Sequence, residues 1–433
     1  MKLTYQAAKR ILLLVLFSLG LAFTSSNAQV PQEDVVLQWN RVLGQTLEAG
    51  AHPGTILPAR SFAMLNLAMF DAVNSIDGSY EPYLTDVPGT KNASIKASAA
   101  QAAHDVLVGL YPVRAEIYAE EFAISIEGEK FYRVEQGQRV GRIVAANMLK
   151  NRENDGWSAP WTPFLLPPTP GNWQELFAGP YPGFSVFTNI NGVTPFGVTS
   201  GTQFEPPPPP ALNSVQYAAD LNEIKLIGSV AGGPRTPDQT LTARLWAFPP
   251  ISDGAMFGVI FSTSVEQGLT TVERARLTAL AFTSFHDALQ TTFTSQYTYG
   301  RWRPITAIRR ADEDGNPGTV ADPTWLSLLS PGPPSPGDGT PPHPSYASNA
   351  SSASASIAET LKLFYGSDDI PFQIDFGPGG TRSYASFTDL TNEVAASRRF
   401  GGVHFRYETN AGQQAGRDVA SYVFSNLLRP RGK

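Results

Sequence analysis

Near the end of the chain, the stretch Ser397-Arg398-Arg-Phe-Gly-Gly-Val-His404-Phe-Arg-Tyr-Glu408 combines arginines, a Gly-Gly pair and a histidine. Arg398 and His404 are six residues apart, so on one continuous helix their side chains would point about 120° away from each other. The glycines at 401 and 402 instead predict that the helix of Arg398 ends there and that His404 comes from a loop or from the start of the next helix. A histidine in such a place can offer one ring nitrogen to a metal or phosphorus centre while a carbonyl or carboxylate holds the other.

An earlier segment, Gln296-Tyr-Thr-Tyr-Gly-Arg-Trp-Arg303-Pro304, adds a group that binds anions. If this segment is helical, Gln296 and Arg303 are about two turns apart and project from the same face, with Pro304 at the helix end. Arg303 would then supply a planar, permanently charged fork that suits a tetrahedral oxyanion. The alternative is that Arg303 only complements the dipole at a helix C-terminus.

The segment between them is Pro344-Ser-Tyr-Ala-Ser348-Asn349-Ala350-Ser, which follows a Pro/Gly-rich stretch that begins at residue 330. That stretch predicts a rigid approach to a helix N-terminus, where unpaired backbone N–H groups face a ligand. The alternative is that Ser348 or Asn349 only caps a helix that begins near Ser351. Together, the three segments predict a pocket for a phosphate-sized oxyanion, lined by arginines, a serine hydroxyl and one histidine.

The chain has four histidines besides His404. We expect His52 and His104, in the N-terminal half, to be structural. His286 follows a helical pattern beside Asp287, and His343 lies in the proline-rich loop, from which it could line the pocket. Either of these two could bring a further titratable group to the oxyanion site.

Apolar residues recur at three- and four-residue spacing through most of the chain, which predicts a mostly α-helical protein. The helical patterns run over residues 35–47, 59–73, 93–110, 134–149, 214–227, 236–246, 271–293, 351–364, 384–398 and 411–428. Residues 157–211 differ, because their many prolines forbid regular helix and their aromatic residues indicate an ordered irregular lobe. We therefore expect an N-terminal helical half (29–156) and a C-terminal helical half (212–433) on either side of this lobe.

The N-terminus predicts export. Lys2, Lys9 and Arg10 precede an apolar run from residue 11 to 23, and Ser26-Asn-Ala28 offers a cleavage site, as in a secretory signal peptide of residues 1–28. Because the run is shorter than the ~20 residues of a membrane-spanning helix, we expect a soluble periplasmic or extracellular protein. Removal of the peptide takes the formal net charge from −6 to −9, which disfavours nucleic-acid binding. The absence of cysteine excludes disulfides and thiolate chemistry.

The order of the three segments resembles a known signature: Lys-x6-Arg-Pro, then Pro-Ser-Gly-His, then Ser-Arg-x5-His-x3-Asp. This signature belongs to the vanadium-dependent haloperoxidases and the related type 2 phosphatidic acid phosphatases. Similar sequence extends through Trp302-Arg-Pro-Ile-Thr-Ala-Ile308, Asp314-Gly-Asn-Pro and Thr340-Pro-Pro-His-Pro-Ser-Tyr346. The chain is identified as an exported bacterial member of this superfamily, which implies an all-α fold of two four-helix bundles with the anion at the end of one bundle.

The resemblance also implies roles for individual residues. The oxygens of vanadate, or of phosphate in the phosphatase branch, would be held by Arg303, Ser348, Arg398 and the backbone N–H of Asn349. His404 would bond vanadium axially in a haloperoxidase, or attack phosphorus in a phosphatase.

The chain departs from the signature at two positions that carry chemistry. Gln296 stands at the lysine position and can donate a hydrogen bond but brings no charge. Ala350 stands at the position of the acid–base histidine and cannot move a proton, a function that typically contributes ~10²–10⁴-fold in rate. Glu408 replaces an aspartate and still offers a carboxylate to orient His404.

Three functions are consistent with this site. The first is a haloperoxidase of reduced activity that uses vanadate, hydrogen peroxide and a halide, with His286, His343 or a water in place of the missing acid–base group. The second is an acid phosphatase in which His404 attacks a phosphomonoester. The third is a non-catalytic protein that binds phosphate or vanadate. The halide, the organic substrate and the oligomeric state are left open.

Overall fold

The computed structural model describes residues 33–49, 56–176, 185–247, 249–329 and 340–432. Within these residues the protein forms thirteen α-helices and one two-stranded sheet, which confirms the all-α prediction. No helix in this part of the chain is both long and apolar enough to cross a membrane. The predicted signal peptide and His52 lie outside the described residues.

The N-terminal half is a bundle of five helices: α1 (Val35–Ala49), α2 (Ile56–Asp77), α3 (Ile95–Leu110), α4 (Ala115–Ser125) and α5 (Phe131–Asn151). Helix α2 packs against α1, α3 and α5 and is buried along most of its described length. Glycines on α5 allow a close approach to α3: a Cβ at Gly141 would lie 2.6 Å from the carbonyl oxygen of Ser98.

The C-terminal half contains eight helices and a hairpin, in the order α6 (Val215–Ile227), α7 (Pro237–Leu245), α8 (Pro249–Glu266), α9 (Thr271–Tyr299), α10 (Pro304–Arg309), α11 (Asn349–Tyr365), β1 (Phe372–Asp375), β2 (Thr381–Tyr384), α12 (Phe387–Phe400) and α13 (Arg406–Asn426). The strands are antiparallel and pair Phe372 with Tyr384. Helices α9, α11 and α13 pack on one another, and α12 packs on α11 and α13. These four helices form the second bundle, at one end of which the three sequence segments meet.

Helix α9 joins the two halves, because it packs against α2 as well as against α11 and α13. One hydrophobic core therefore extends from Trp39 on α1 to Val423 on α13. The irregular lobe covers α9: the Asp287 carboxylate accepts hydrogen bonds from the backbone N–H groups of residues 196–198, and Gln290 donates to the Val193 carbonyl. The lobe is ordered where it is described, as its aromatic content predicts.

The structure corrects the interpretation of the first segment. Helix α9 ends at Tyr299 because Gly300 takes the left-handed conformation, with φ of 55°. Arg303 is the N-cap of α10, and Pro304 is the first residue of that helix. The prediction that Gln296 and Arg303 project from one helix face is therefore wrong, and Pro304 begins a helix instead of ending one.

Two helix starts also differ from the apolar periodicity. Tyr384 lies in β2, and α12 starts at Phe387, where Ser386 accepts a hydrogen bond from the Asp389 N–H. Helix α13 starts at Arg406, five residues before the periodic pattern. Its first turn reads Arg-Tyr-Glu-Thr-Asn, without an aliphatic residue, so periodicity could not detect it.

Candidate active site

Arg303 lies fully buried where the three segments meet. Its Nε donates to the His343 carbonyl oxygen at 2.9 Å, and Nη2 lies 3.0 Å from His343 Nδ1. Its Nη1 donates to the Val403 carbonyl oxygen and to His404 Nε2, both at 3.2 Å. One guanidinium therefore connects the first segment to the His343 loop and to the His404 loop.

His404 is presented from the loop between α12 and α13, as the Gly-Gly pair predicts. Helix α12 ends at Phe400, and Gly402 takes a positive φ of 77°. Because a guanidinium can only donate, the contact with Arg303 requires a lone pair on His404 Nε2; Nδ1 then carries the hydrogen and donates to Glu408 Oε2 at 2.9 Å. Burial, followed by the charges of Arg303 and Arg398 and by His343, holds the pKa of His404 well below its usual range. The ring is therefore neutral, with its lone pair on the side of the arginines.

Glu408 is fully buried in the first turn of α13. Its Oε2 also accepts hydrogen bonds from Ser345 Oγ at 2.7 Å and from the Phe405 N–H at 3.1 Å. Burial raises the pKa of Glu408 to about 8, although these donors and the charge of Arg303 act in the opposite direction. Among the described residues, Oε1 has no hydrogen-bond partner. When Glu408 is protonated, the proton can therefore sit on Oε1, and Oε2 still accepts the hydrogen bond from His404 Nδ1. His404 can keep its hydrogen on Nδ1 whether the carboxyl group is ionised or neutral.

Arg398, in the last turn of α12, is a second buried cation. Its Nη1 donates to the Trp246 carbonyl oxygen at 2.9 Å, whereas the described part of the chain supplies no acceptor for its Nε. Burial lowers the pKa of Arg398 to about 10, which leaves it charged at neutral pH. Its charge contributes to the lowered pKa of both His404 and His343.

Ser348 is fully buried at the N-cap of α11, but its side chain makes no capping hydrogen bond. Its hydroxyl oxygen instead accepts from Ser351 Oγ at 3.1 Å. The interpretation of Ser348 as only a helix cap is therefore not supported. The first N–H groups of α11, beginning with that of Asn349, have no intrahelical acceptor and carry the positive end of the helix dipole. This helix end adds anion-binding donors to the two arginines.

The two departures from the signature occupy the same corner. Gln296 Nε2 donates to the Ala347 carbonyl oxygen at 2.7 Å and to Asn349 Oδ1 at 2.9 Å, so its amide contacts the residues on either side of Ser348. Ala350 packs against the hydrophobic core. This corner therefore contains an uncharged amide and a methyl group where the signature has two groups that can carry a proton.

Of the two histidines considered as replacements for the missing acid–base group, only His343 lies at the site. Burial and the charge of Arg303 hold the pKa of His343 well below its usual range. His286 lies elsewhere on α9, with Nδ1 2.9 Å from Asp287 Oδ1 and its ring 4.8 Å from that of Phe196. It lies ten residues before Gln296, or about 15 Å along the helix, under the irregular lobe.

His104, expected to be structural, lies in the N-terminal bundle, where its Nδ1 is 2.7 Å from Asp105 Oδ1. Its ring makes an edge contact with Trp39. These contacts tie it to the packing of α1 and α3.

Helix α6 supplies a clamp on the His404 loop that sequence reasoning missed. Asp220 accepts a hydrogen bond from the Tyr407 N–H at 2.8 Å. Glu223 pairs with Arg399 at 3.2 Å and with Arg406 at 2.8 Å. These contacts hold both ends of the loop, and their partners are more than 170 residues away along the chain, so no local spacing could have revealed them.

The described groups fit a tetrahedral oxyanion. Two guanidiniums and a helix N-terminus provide donors, and the Arg398 Nε is a buried donor that the described residues leave without an acceptor. His404 Nε2 offers the lone pair that a ligand to the central atom needs. The structure thus brings His404 and His343 into direct contact with Arg303. Arg398 contributes its charge to both rings. The Ser348 N–H joins the start of α11 to that of α13, because it donates to the Glu408 carbonyl oxygen at 3.1 Å.

Comparison with known proteins finds a similar domain and similar folds. Residues 276–432 match the family model described as the VCPO second helical-bundle domain, and no curated protein matches the sequence at significant similarity. A bacterial vanadium-dependent iodoperoxidase has a similar structure, with a TM-score of 0.75 at 21% identity over 95% of this chain and 100% of that chain.

Two structures of bacterial vanadium-dependent chloroperoxidase are also similar. The holo form gives a TM-score of 0.71 at 17% identity, over 92% of this chain and 98% of its own. The apo form gives a TM-score of 0.65 at 16% identity, over 93% of this chain and 96% of its own. The chain therefore has the fold of the vanadium-dependent haloperoxidases, and its residues 276–432 are similar to the second helical-bundle domain that the VCPO family model describes.

Proposed function

We propose that this protein is an exported, vanadate-dependent haloperoxidase-like oxidoreductase of reduced activity that oxidises a halide with hydrogen peroxide. The observation that carries the proposal is the His404 ring, whose Nδ1 is held by Glu408 while Nε2 keeps its lone pair beside Arg303. A ring fixed in this way is prepared to ligate the central atom of an oxyanion. The structural neighbours, described as vanadium-dependent iodoperoxidase and chloroperoxidase, support vanadate as the cofactor.

In this proposal the chain's own residues bind and orient the cofactor. Arg303, Arg398, the Ser348 hydroxyl and the N–H of Asn349 hold the vanadate oxygens, and His404 Nε2 ligates vanadium. Bound vanadate supplies Lewis-acid activation of hydrogen peroxide. The arginines also stabilise negative charge in a buried place, where each hydrogen bond is stronger than in water.

Reduced activity follows from the two departures. Gln296 adds no positive charge, and Ala350 cannot exchange a proton, which removes a contribution of about 10²–10⁴-fold. His343 is the described histidine best placed to take over part of this role, because its ring contacts Arg303 within the same site. Its lowered pKa makes it a weak proton acceptor, so it replaces the missing group only in part. His286, under the lobe, is not placed for it.

The test is a pair of assays on the purified protein. Bromide and iodide oxidation are measured with vanadate and hydrogen peroxide, and phosphate release from p-nitrophenyl phosphate is measured without vanadate. Both are repeated with Ala350→His, Gln296→Lys and the double variant. Gln45→Lys, on the exposed face of α1, adds the same charge far from the site and serves as the control.

Halide oxidation by the unmodified protein that depends on vanadate and increases in the double variant supports the proposal. Phosphate release without halide oxidation assigns the acid phosphatase function, in which the same His404 lone pair attacks phosphorus. Oxidation that occurs only after Ala350→His identifies the natural protein as a non-catalytic binder. Failure of the protein to broaden the ⁵¹V resonance of vanadate would overturn the oxyanion site itself.

Export is the remaining part of the proposal, and it depends on residues 1–28. Cell fractionation and N-terminal sequencing of the mature protein test it. The expected result is a protein outside the cytoplasm that begins at Gln29, and an uncleaved cytoplasmic protein would refute it.

A further inference from the structure

The amide of Gln296 is buried and held in one orientation. Its Nε2 donates to the Ala347 carbonyl oxygen and to Asn349 Oδ1, and because both partners are acceptors, the nitrogen cannot exchange places with the oxygen. Oε1 is consequently an acceptor, and within the described residues it has no donor. A buried acceptor without a donor destabilises the site unless a bound molecule supplies a hydrogen.

The fixed charges around this corner are cations. Among the described residues they are Arg303 and Arg398, together with Arg301, whose charge acts on the pKa of the buried carboxyl group of Glu408. The rings of His343 and His404 are neutral, because burial and the arginines hold the pKa of each well below its usual range. Gln296 adds an uncharged acceptor to this set, at the position where the signature has a lysine.

We infer that the pocket binds its tetrahedral oxyanion in a protonated form, and that Gln296 selects this form by accepting a hydrogen bond from its O–H group. The two arginines and the α11 N-terminus then hold the unprotonated oxygens. This inference rests on the proposed oxyanion site but goes beyond it, because it specifies the protonation state of the ligand.

Inorganic phosphate and sulfate provide the test. Both are tetrahedral and of similar size, but phosphate has one negative charge and two protons at weakly acidic pH, whereas sulfate has two negative charges and no proton. Binding of each ion to the unmodified protein is measured by isothermal titration calorimetry at about pH 5.5 and at about pH 8.5. At about pH 8.5 both ions are mainly dianions and only phosphate has an O–H group, so we expect phosphate to bind about tenfold or more tightly than sulfate at that pH, the effect of leaving one buried acceptor unmatched.

The preference should persist at the lower pH, because the phosphate monoanion also has an O–H group to donate. Sulfate keeps the same charge throughout, so its own pH dependence measures titration of the protein, including Glu408. Gln296→Met removes the acceptor at similar size and should abolish the preference, and Gln296→Lys should favour sulfate at both pH values.

The possible outcomes separate the two proposals. Equal binding of sulfate and phosphate at pH 8.5 would overturn the selection by Gln296 while leaving the oxyanion site in place. Binding of neither ion would overturn the site and the proposed function together. The comparison on the unmodified protein decides the matter even if a Gln296 variant does not fold.

Discussion

Replacing Glu408 by alanine should disable the site while leaving every proposed oxyanion-binding residue in place. The carboxyl group accepts hydrogen bonds from His404 Nδ1, Ser345 Oγ and the Phe405 N–H, and all three donors would lose their acceptor inside the protein. Each buried donor without an acceptor costs about 1–3 kcal/mol. The free energy of unfolding should therefore fall by about 3–9 kcal/mol, and by less if water enters the space that the carboxyl group leaves. His404 would also lose the partner that places its hydrogen on Nδ1, and loss of such a partner typically weakens ligand binding about 10–100-fold.

The matched control is Glu408→Gln. In this variant an amide oxygen takes the place of Oε2 and can still accept hydrogen bonds from His404, Ser345 and Phe405. The amide nitrogen takes the place of Oε1, where one unmatched donor lowers the free energy of unfolding by about 1–3 kcal/mol. Urea denaturation measures stability, calorimetry measures phosphate affinity, and ¹⁵N NMR of the imidazole reports which nitrogen of His404 carries the hydrogen. The reasoning is refuted if Glu408→Ala binds phosphate as tightly as the unmodified protein and keeps the hydrogen on Nδ1.

Three further predictions concern the same end of the bundle. His343→Phe should lower vanadate-dependent halide oxidation by up to about 10²-fold, and Ala350→His should restore it, whereas a purely structural role for His343 would leave the loss unrescued. A Cβ at Gly412 would lie 2.3 Å from the Ser348 carbonyl oxygen, so Gly412→Ala should displace the α11 N-terminus, lower the free energy of unfolding by about 1–3 kcal/mol and weaken phosphate binding. The control is Gly44→Ala on α1, where a Cβ would have nothing within 4 Å. Equal melting temperatures of the two variants would contradict the prediction. Burial raises the pKa of Glu408 to about 8, against an ordinary value of 4.5. The contribution of the protonated group to stability is therefore full below about pH 4.5 and is lost as the pH rises to about 8. Urea denaturation should show that Glu408→Gln loses less stability than the unmodified protein over that interval, and parallel pH profiles of the two proteins would exclude the effect.

The turn that presents His404 can be predicted from the residues around it alone. Two adjacent glycines end a helix because they tolerate the backbone conformation that a C-terminus needs, and α12 does end beside them. The same rule applies in the first segment, where Gly300 ends α9. A turn therefore separates Gln296 from Arg303, and the two residues do not share a helix face. A residue count across a glycine that breaks the helical period does not give side-chain directions.

Other parts of the site depend on contacts that no local rule contains. Arg303 contacts a histidine 40 residues away and another 101 residues away. The clamp from α6 joins residues more than 170 positions apart. The pairing of Gln296 with Asn349 also arises only when α9 and the start of α11 pack together.

The amino-acid sequence by itself determined the helical class, the order of the three segments and the residue types that an oxyanion site needs, because these depend on periodicity, turn residues and side-chain chemistry within short windows. It also exposed the two departures, Gln296 and Ala350. Only the tertiary structure decided that His343, and not His286, lies at the site, that His404 keeps its lone pair toward Arg303, and that the Gln296 amide is held with an unmatched acceptor. The physical reason is that tautomer, amide orientation and hydrogen-bond satisfaction are set by atoms brought together from distant parts of the chain.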